Sequence, residues 1–458
     1  MGETMLVALL LLAGIPDWAP ARWASADPQS LELLEGTPVN CLLLEPASWS
    51  AEFAARAAAR GVATLGVVRP AGNPLEAARR AVRHGLGGVV LEGEFDPGLA
   101  EGIRRLLAAE KRVAVELPPR RLMRLNGSVP VVGTCQGLWA GIQVVEGGAV
   151  KARPTGGPWI DTNSGFLRFV KAATDAPIWL GHLPPAKTVL PVERYLHAIS
   201  DAAMLGARWI VALDEDFSRR LLAREERALA DWRRIGAHLA FYQQHQEWRA
   251  LKPFSRLAVV EDAAGTGLLS RGILDMFGGR NIPVRPVPVA ALSAAALKGA
   301  RMAVAVDATA LTEAQREALQ AVARAGGTLL TGPPGWKFSP PQGDQITLGS
   351  EELERITGVW QGINSVVGRG NFGARLFNVS GLLSSLLGDA EGGRIVLHLV
   401  NYTDYAVESV TVHLAGAYQR ARLYAPERPP RDLELYPVEG RRAVDIDRVG
   451  ICAVLVID

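Results

Sequence analysis

Short apolar runs alternate with amphipathic, Ala- and Arg-rich stretches from about residue 38 to residue 214. Apolar runs of this length are typical of strands that are buried on both faces of a parallel sheet. The runs cover residues 40–45, 63–68, 88–92, 112–116, 129–134, 158–162, 177–182 and 208–214. Helical patterns separate most of them, for example at residues 51–60, 74–84, 98–110, 164–174, 192–205 and 224–248. Eight strands that alternate with helices predict an α/β fold of the (β/α)₈ TIM-barrel type. The Gly-rich stretch 136–158 is predicted to be a long loop over the barrel mouth.

Two further segments follow the predicted barrel. Residues 256–331 alternate strand and helix patterns over a short length, which predicts a small doubly wound α/β domain, flavodoxin- or amidotransferase-like. Thr312 is a candidate N-cap for the helix at residues 312–325. After a Pro- and Gly-rich boundary, short β-rich runs with turn residues between them predict a C-terminal antiparallel β-sandwich. The predicted domains are residues 27–253, 254–343 and 344–458.

The first 26 residues have the pattern of an export signal. An apolar run, Met5–Gly14, is too short to span a bilayer, and Ala24-Ser25-Ala26 places small residues where signal peptidase cleaves. The pattern predicts a signal peptide cleaved after Ala26 and a secreted or periplasmic protein. The n-region is atypical because it carries Glu3 and no Lys or Arg. The alternative is an amphipathic segment that packs on the next domain.

Charge and motif content exclude several classes of partner. The chain has 49 Lys and Arg against 47 Asp and Glu, a net charge of +2, and no compact basic run. This balance argues against nucleic acid and, once the chain is processed, against a membrane. Three scattered cysteines with no CxxC or HExxH pattern, and a middle domain with no GxGxxG or P-loop pattern, predict no metal and no cofactor. The middle domain also lacks a GxSxG nucleophile elbow, so it is predicted to serve packing or homo-oligomerisation.

Acidic side chains end several of the predicted barrel strands, where barrel enzymes place their reactive groups. Glycoside cleavage uses a pair of carboxyl groups, one protonated and one ionised. Glu116, Asp161 and Glu92 are the candidate catalytic residues. Each has a structural alternative: an ion pair of Glu116 with Arg120 or Arg121, for example, or capping of the next helix by Asp161. Glu45 and Asp214 are candidate substrate contacts, with loop anchoring and helix capping as their alternatives.

Aromatic and polar residues near the last strands are candidate saccharide contacts, because a flat ring packs against the C–H face of a sugar. Trp139 and Trp159 are flanked by Gly and Pro in the predicted mouth loop, whereas Trp179 and Trp209 lie within apolar runs and are predicted to be core. Asn163 and His182 complete the set. Asn163 is also a candidate N-cap, and a lone His is often an ordinary loop residue.

The order barrel, small α/β domain and β module resembles family 42-type β-galactosidases and related glycoside-hydrolase-like proteins. Residues 256–261, 302–307 and 311–332 (LTEAQREALQAVARAGGTLLTG) are similar to their amidotransferase-like domain, which has lost its nucleophile, and 394–403 (RIVLHLVNYT) to their terminal β module. The family places an Asn-Glu pair at the end of strand four and a second Glu at the end of strand seven. Here strand four ends Val115-Glu116 and strand seven ends Gly181-His182, so only Glu116 matches and the two-Glu mechanism does not carry over.

These observations predict an exported carbohydrate-active protein that acts on an oligo- or polysaccharide. The first interpretation is a glycoside hydrolase that uses paired carboxylates at the barrel mouth. The alternative is a non-catalytic carbohydrate-binding or assembly protein with a degenerate glycosidase barrel, which the missing strand-seven Glu favours.

Overall fold

The protein divides into two compact units in the computed structural model. The first contains residues up to Lys151, Thr174–Ala203 and Ala207–Gln246, and the second contains Ala152–Ala173, Met204–Gly206 and Glu247–Asp458. The structure describes residues 15–125, 129–140, 142–144, 150–152, 162–261, 274, 277–306, 311–331, 350–367, 371–379, 381–389, 392–403 and 405–458.

Two parallel sheets form the first unit, and their strands alternate with helices along the sequence. One sheet has the order β1-β2-β3-β4-β5 and the other β10-β9-β6. The strands are β1 (Pro20–Trp23), β2 (Cys41–Leu44), β3 (Ala63–Val68), β4 (Gly88–Glu92), β5 (Val113–Leu117), β6 (Val132–Thr134), β9 (Ile178–Leu180) and β10 (Ala207–Trp209). A separate pair is β7 (Ile142–Val144) with β8 (Val150–Ala152). The helices of this unit are α1 (Ala51–Ala59), α2 (Pro74–Arg83), α3 (Pro97–Ala109), α5 (Val192–Ala203), α6 (Glu215–Leu222) and α7 (Glu226–Gln244).

Hydrogen bonds join the two sheets at both edges. The amide of Arg22 donates to the carbonyl of Val211 (2.7 Å), and the amide of Val211 donates to the carbonyl of Pro20 (3.1 Å). At the other edge the Thr134 hydroxyl donates to the Pro118 carbonyl (2.7 Å). The eight strands of these two sheets therefore follow one another in sequence order.

The first strand, β1, lies within the segment that the sequence predicts to be a signal peptide. Its four residues pair in parallel with β2, and the neighbouring Trp18 and Trp23 are each only 5% exposed. Cleavage after Ala26 would remove this strand and both tryptophans from the folded unit. In this structure residues 15–26 pack on the first unit, and cleavage after Ala26 stays a prediction. Residues 1–14 lie outside the described part of the chain.

One face of the parallel strands carries the apolar core of the first unit. Alternate residues of β2, β3 and β5 share this face, because side chains along a strand point to opposite sides in turn. The core includes Leu43, Leu65, Val67, Val90, Val115, Leu117, Trp179 and Ile210, all at most 1% exposed. Trp179 and Trp209 are buried, as the sequence predicts.

The second unit contains a parallel α/β sheet and two antiparallel sheets. The parallel sheet has the order β13-β12-β14-β15, with β12 (Leu257–Glu261), β13 (Arg285–Pro288), β14 (Met302–Ala305), β15 (Thr328–Thr331) and the helix α8 (Glu313–Arg324). The first antiparallel sheet contains β11 (Lys252–Pro253), β17 (Leu382–Gly388), β18 (Ile395–Asn401), β24 (Cys452–Ile457), β20 (Ala421–Ala425) and β21 (Arg428–Leu433). The second contains β16 (Ala374–Phe377), β19 (Val407–Leu414), β23 (Arg441–Val449) and β22 (Tyr436–Val438). Two more helices are α4 (Ser164–Ala173) and α9 (Ser350–Val367).

The coarse fold prediction is confirmed, since the chain has parallel α/β sheets and C-terminal antiparallel sheets. Thr312 caps α8 as predicted, and with Gln315 it forms a capping box. The helix α4 precedes β9 in sequence but belongs to the second unit, where the Arg168 guanidinium donates to the carbonyl of Ser384 (2.7 Å). Within the described residues, no helix is long and apolar enough to cross a membrane.

Candidate strand-end site

Four charged side chains meet at the carboxyl ends of β1 to β4, and we call them the strand-end cluster: Arg22, Glu45, Arg69 and Glu92. Arg22 is in register with Leu43, and Glu92 with Leu117, which are both residues of the inner core. Glu45 follows Leu43 by two residues and Arg69 follows Val67 by two, so the 2-residue period places them on the same face. The cluster therefore covers the carboxyl end of the apolar core, the position of the active site in barrel enzymes.

Each carboxylate of the cluster contacts both guanidinium groups. Arg69 binds Glu45 in a two-pronged pair, with Nη1–Oε2 and Nη2–Oε1 distances of 2.7 and 2.8 Å, and its Nη2 is also 2.7 Å from Glu92 Oε2. Arg22 is 3.2 Å from Glu45 Oε1 and forms an ion pair with Glu92. Because Nη2 of Arg69 contacts both carboxylates, Glu45 Oε1 and Glu92 Oε2 can be at most about 5.5 Å apart.

The cluster has a buried half and an exposed half. The side chains of Arg22 and Glu92 are 10% and 11% exposed, whereas those of Arg69 and Glu45 are 43% and 41% exposed. Burial tends to raise the pKa of Glu45, but hydrogen bonds from Arg69 and the positive charges of Arg69 and Arg22 outweigh it, so the pKa is lowered. Glu45 is therefore a carboxylate at neutral pH, and with Arg69 it offers fixed acceptors and donors to a ligand.

The lowered pKa of Glu45 predicts a stability change in acid. Its contribution is fully present above the ordinary glutamate value of 4.5 and is lost as the pH falls through the lower value of the folded state. We expect the Glu45→Gln variant to lose less stability than the wild type between pH 5 and pH 2, by urea denaturation at each pH. The matched control is Glu427→Gln, in the exposed turn between β20 and β21, which should follow the wild type. If the free energy of unfolding fell by the same amount in the wild type and in Glu45→Gln between pH 5 and pH 2, the prediction would be contradicted.

Glu116, predicted to be a catalytic acid, lies on the opposite face of its strand. Its neighbours Val115 and Leu117 are in the inner core, so the Glu116 side chain points toward the helices. There it forms an ion pair with Arg104 of α3, and its Oε2 is 3.9 Å from Arg124. The structure does not bring Glu116 to the strand-end cluster. The structural alternative, an ion pair, therefore describes its contacts, although its partners are Arg104 and Arg124 rather than Arg120 or Arg121.

Trp139, predicted to stack on a sugar, is a packed residue in this structure. Its side chain is 7% exposed and its indole N–H donates to the carbonyl of Leu183 (3.2 Å). The ring lies edge-on to Trp209 and Tyr195, with centroid distances of 5.0 and 5.5 Å. Both of its sides are thus taken up by aromatic neighbours, which leaves no open face for a ligand.

Asp214, predicted to contact substrate, is 3% exposed and caps the helix α6. Its Oδ1 accepts from the amide of Phe217 (2.9 Å), and its Oδ2 accepts from the Tyr195 hydroxyl (2.8 Å) and the Leu190 amide (3.0 Å). Burial and the Asp214 charge raise the pKa of Tyr195, so its hydroxyl stays protonated as a donor. Asp214 therefore holds the loop before α5 against the start of α6.

His182, another predicted contact, follows β9 and is exposed. Loss of hydration around its ring lowers the pKa of His182, and the positive charges of Arg120 and Arg22 lower it further. A hydrogen bond with the backbone of Cys135 acts in the opposite direction, but the net effect is a lowered pKa. A neutral imidazole there offers one hydrogen-bond donor and one acceptor to a ligand.

The remaining predicted residues are not in the described part of the first unit. Asn163 belongs to the second unit, where it is fully buried at the start of α4 and its carbonyl accepts from the amide of Leu167 (2.9 Å). Asp161 and Trp159 lie outside the described residues. Their predicted roles in catalysis and substrate binding therefore stay predictions.

Sequence reasoning missed both arginines of the strand-end cluster. Arg22 was assigned to a leader, and Arg69 directly follows the apolar run at residues 63–68. The signal for Arg69 is present in the sequence, because its spacing from Leu65 and Val67 gives it their face of the strand. A pattern of paired carboxylates does not by itself indicate that an arginine belongs to the same site.

Comparison with known proteins finds likeness in structure and none in sequence. No protein-family profile and no curated protein sequence matches the chain. The α-L-fucosidase isoenzyme 2 of Paenibacillus thiaminolyticus is 11% identical, with a TM-score of 0.62 over 96% of this chain and 99% of that chain. The maltogenic α-amylase AmyB of Thermotoga neapolitana is 10% identical over 97% of this chain and 99% of that chain, with a TM-score of 0.32. The first likeness shows that the protein has a glycoside-hydrolase-like fold.

Proposed function

We propose that the protein is carbohydrate-active and binds a saccharide through the strand-end cluster. The observation that carries the proposal is the pairing of both carboxylates with both guanidinium groups at the carboxyl ends of β1 to β4. Such pairs balance their charges while fixing donors and acceptors in place, which suits a neutral ligand with many hydroxyl groups. A fold shared with an α-L-fucosidase supports the same class of ligand.

We favour binding without hydrolysis. Glycoside cleavage needs one carboxyl group that carries a proton for the leaving oxygen. Guanidinium contacts stabilise the ionised form of a carboxyl group, and they lower the pKa of Glu45. Glu116 is paired with Arg104 on the other face of the sheet. Among the described residues, both carboxyl groups of the strand-end cluster are thus engaged by guanidinium groups.

Hydrolysis is the second candidate, because the cluster holds an ionised carboxylate, Glu45, that could act as nucleophile. A retaining mechanism would then need another carboxyl group to protonate the leaving oxygen and afterwards to act as base toward water. Asp161, predicted from the sequence as a catalytic partner, is the residue to test for this role.

Four finer predictions complete the proposal. The two parallel sheets would close into one (β/α)₈ barrel, supported by the hydrogen bonds at both of their edges. Export would then require a cleavage site upstream of Ile15, because β1 belongs to the folded unit. Self-association through residues 254–343, and membership of a family 42-like group, remain predictions.

A saccharide panel with matched variants tests this function. We expect wild-type protein to bind one or more oligosaccharides by isothermal titration calorimetry, and Glu45→Gln and Glu92→Gln to weaken binding at least about tenfold, the effect of about 1.4 kcal/mol. Glu116→Gln, on the opposite face of the sheet, is the control and should bind like the wild type. Aryl-glycosides report hydrolysis in the same samples.

Each outcome decides between the candidates. Binding without release of the aryl group supports the binding protein, and release that Asp161→Asn abolishes supports the hydrolase. Equal binding by the wild type and both cluster variants would contradict the proposed site, and absence of any saccharide binding would contradict the function.

A further inference from the structure

A second cavity lies in the second unit, away from the strand-end cluster in sequence. It has a volume of about 290 Å³ and is lined by residues of the 254–256 segment, the 392–393 and 415–418 loops, and the chain's last residue, Asp458. This is close to the lower end of the volumes typical of small-molecule sites, about 300 Å³. The cavity can therefore hold a compact ligand of about one sugar ring.

Glycines let two loops lie flat against aromatic rings in this cavity. A Cβ at Gly392 would come within 2.4 Å of the Phe254 ring, and a Cβ at Gly416 within 2.5 Å of the Tyr418 ring. Without side chains at these positions, backbone polar groups line the cavity beside the two rings. The lining therefore combines two aromatic residues with the backbone of glycine-containing loops.

Charged side chains complete the lining with both signs. The Arg256 guanidinium is 3.4 Å from the carbonyl of Ala415, and Asp458 Oδ1 is 3.5 Å from Arg394 Nε. The Tyr418 hydroxyl donates to the carbonyl of Gly392 (3.3 Å). Burial raises the pKa of Tyr418, so its hydroxyl is a protonated donor at neutral pH.

The ligand class follows from this lining. The charged side chains that line the cavity are one positive, Arg256, and one negative, Asp458, so they do not favour a strongly ionic ligand of either sign. Donors, acceptors and ring edges in a space for one ring match a neutral polyhydroxylated ring, with C–H groups against the aromatic side chains and hydroxyls on the polar atoms. We infer that this cavity is a second saccharide-binding site, specific for a single sugar unit. The inference rests on the proposed function for its ligand class.

Cavity-blocking variants test the inference in the full-length protein. Ala417 lines the cavity and is exposed, so Ala417→Trp should obstruct it without disturbing the core. Arg256→Met removes the guanidinium donors. Ala294→Trp, at an exposed alanine of the same unit that does not line the cavity, is the matched control. The probes are methyl α-L-fucoside, methyl β-D-galactoside, methyl β-D-glucoside and methyl β-D-xyloside.

Saturation-transfer difference NMR and calorimetry give the readout. We expect at least one probe to bind the wild type and the Glu45→Gln variant alike, and its affinity to fall at least about tenfold in Ala417→Trp and Arg256→Met but not in Ala294→Trp. Probe binding that Glu45→Gln abolishes and Ala417→Trp leaves intact would overturn the second site while supporting the strand-end site. Binding of no probe, with oligosaccharide binding to the wild type intact, would also overturn only the second site.

Discussion

A chain that starts at Asp27 is expected to be unfolded or insoluble, whereas one that starts at Ile15 is expected to fold. The longer chain keeps Trp18 and β1, whose last residue is Trp23. Trp18 packs at 6.3 Å from the Trp179 ring, and Trp23 packs at 6.2 Å from the Trp232 ring. The Trp23 indole N–H also donates to the Ser30 hydroxyl (2.9 Å).

The size of the expected effect follows from burial. Truncation of one buried Trp to Ala costs about 3–5 kcal/mol, and a whole domain is stable by only about 5–15 kcal/mol. Loss of two tryptophans, together with a strand that pairs with β2, is therefore expected to lower the free energy of unfolding by an amount comparable to its total value. The measurement is soluble yield and thermal unfolding of the two truncated chains beside the full-length protein. The prediction would be contradicted if the chain that starts at Asp27 were soluble and unfolded at the same midpoint temperature as the full-length protein. Cleavage after Ala26 would then be compatible with a folded product.

The core elements could be predicted from the sequence because their signals are local. Apolar runs such as residues 63–68 and 88–92 coincide with β3 and β4, and helices such as α1 and α2 begin after the side-chain caps Ser50 and Asn73. The strand β1 could not be separated from a leader, because a four-residue strand that contains Pro and Arg has almost no pattern of its own. Its stability comes from pairing with β2, which is not a local property.

The strand-end positions of the candidate carboxylates follow from the sequence, but the face on which each one lies depends on where the strand ends. Glu45 and Glu92 share the inner face with the core residues two positions before them. The structure extends β5 to Leu117, so the pattern of Val113, Val115 and Leu117 places Glu116 on the other side. The packing of Trp139 and Asp214 could not be predicted, because flanking Gly or acidic residues do not reveal whether a side chain is buried.

Replacement of Arg22 by Met is expected to weaken saccharide binding at least about tenfold and to lower the free energy of unfolding by about 3 kcal/mol. Arg22 and Glu92 are nearly buried, and removal of one partner of a buried ion pair leaves a poorly compensated charge, at a cost of about 3–5 kcal/mol. Glu92 retains Arg69, 2.7 Å away, so the lower end of that range applies. Calorimetric titration and urea denaturation give the two quantities.

The double variant Arg22→Met with Glu92→Met separates stability from binding. Replacement of a whole buried pair by apolar side chains is often close to neutral, so this variant should recover most of the lost stability. Binding should stay lost, because Glu45 and Arg69 would no longer be held by the buried half of the cluster. A fully additive double-mutant cycle would show that the pair does not act as a unit.

The ion pair of Arg104 and Glu116 provides the matched comparison, because it is an Arg-Glu pair at the end of a neighbouring strand but on the opposite face. Arg104 is 27% exposed, so we expect Arg104→Met to cost less stability than Arg22→Met and to leave saccharide binding unchanged. If both variants lost binding equally, general destabilisation would explain the effect. If Arg22→Met alone lost binding, and the double variant regained stability without regaining affinity, the inner face of the strand ends would be the ligand site, and β1 would be part of it.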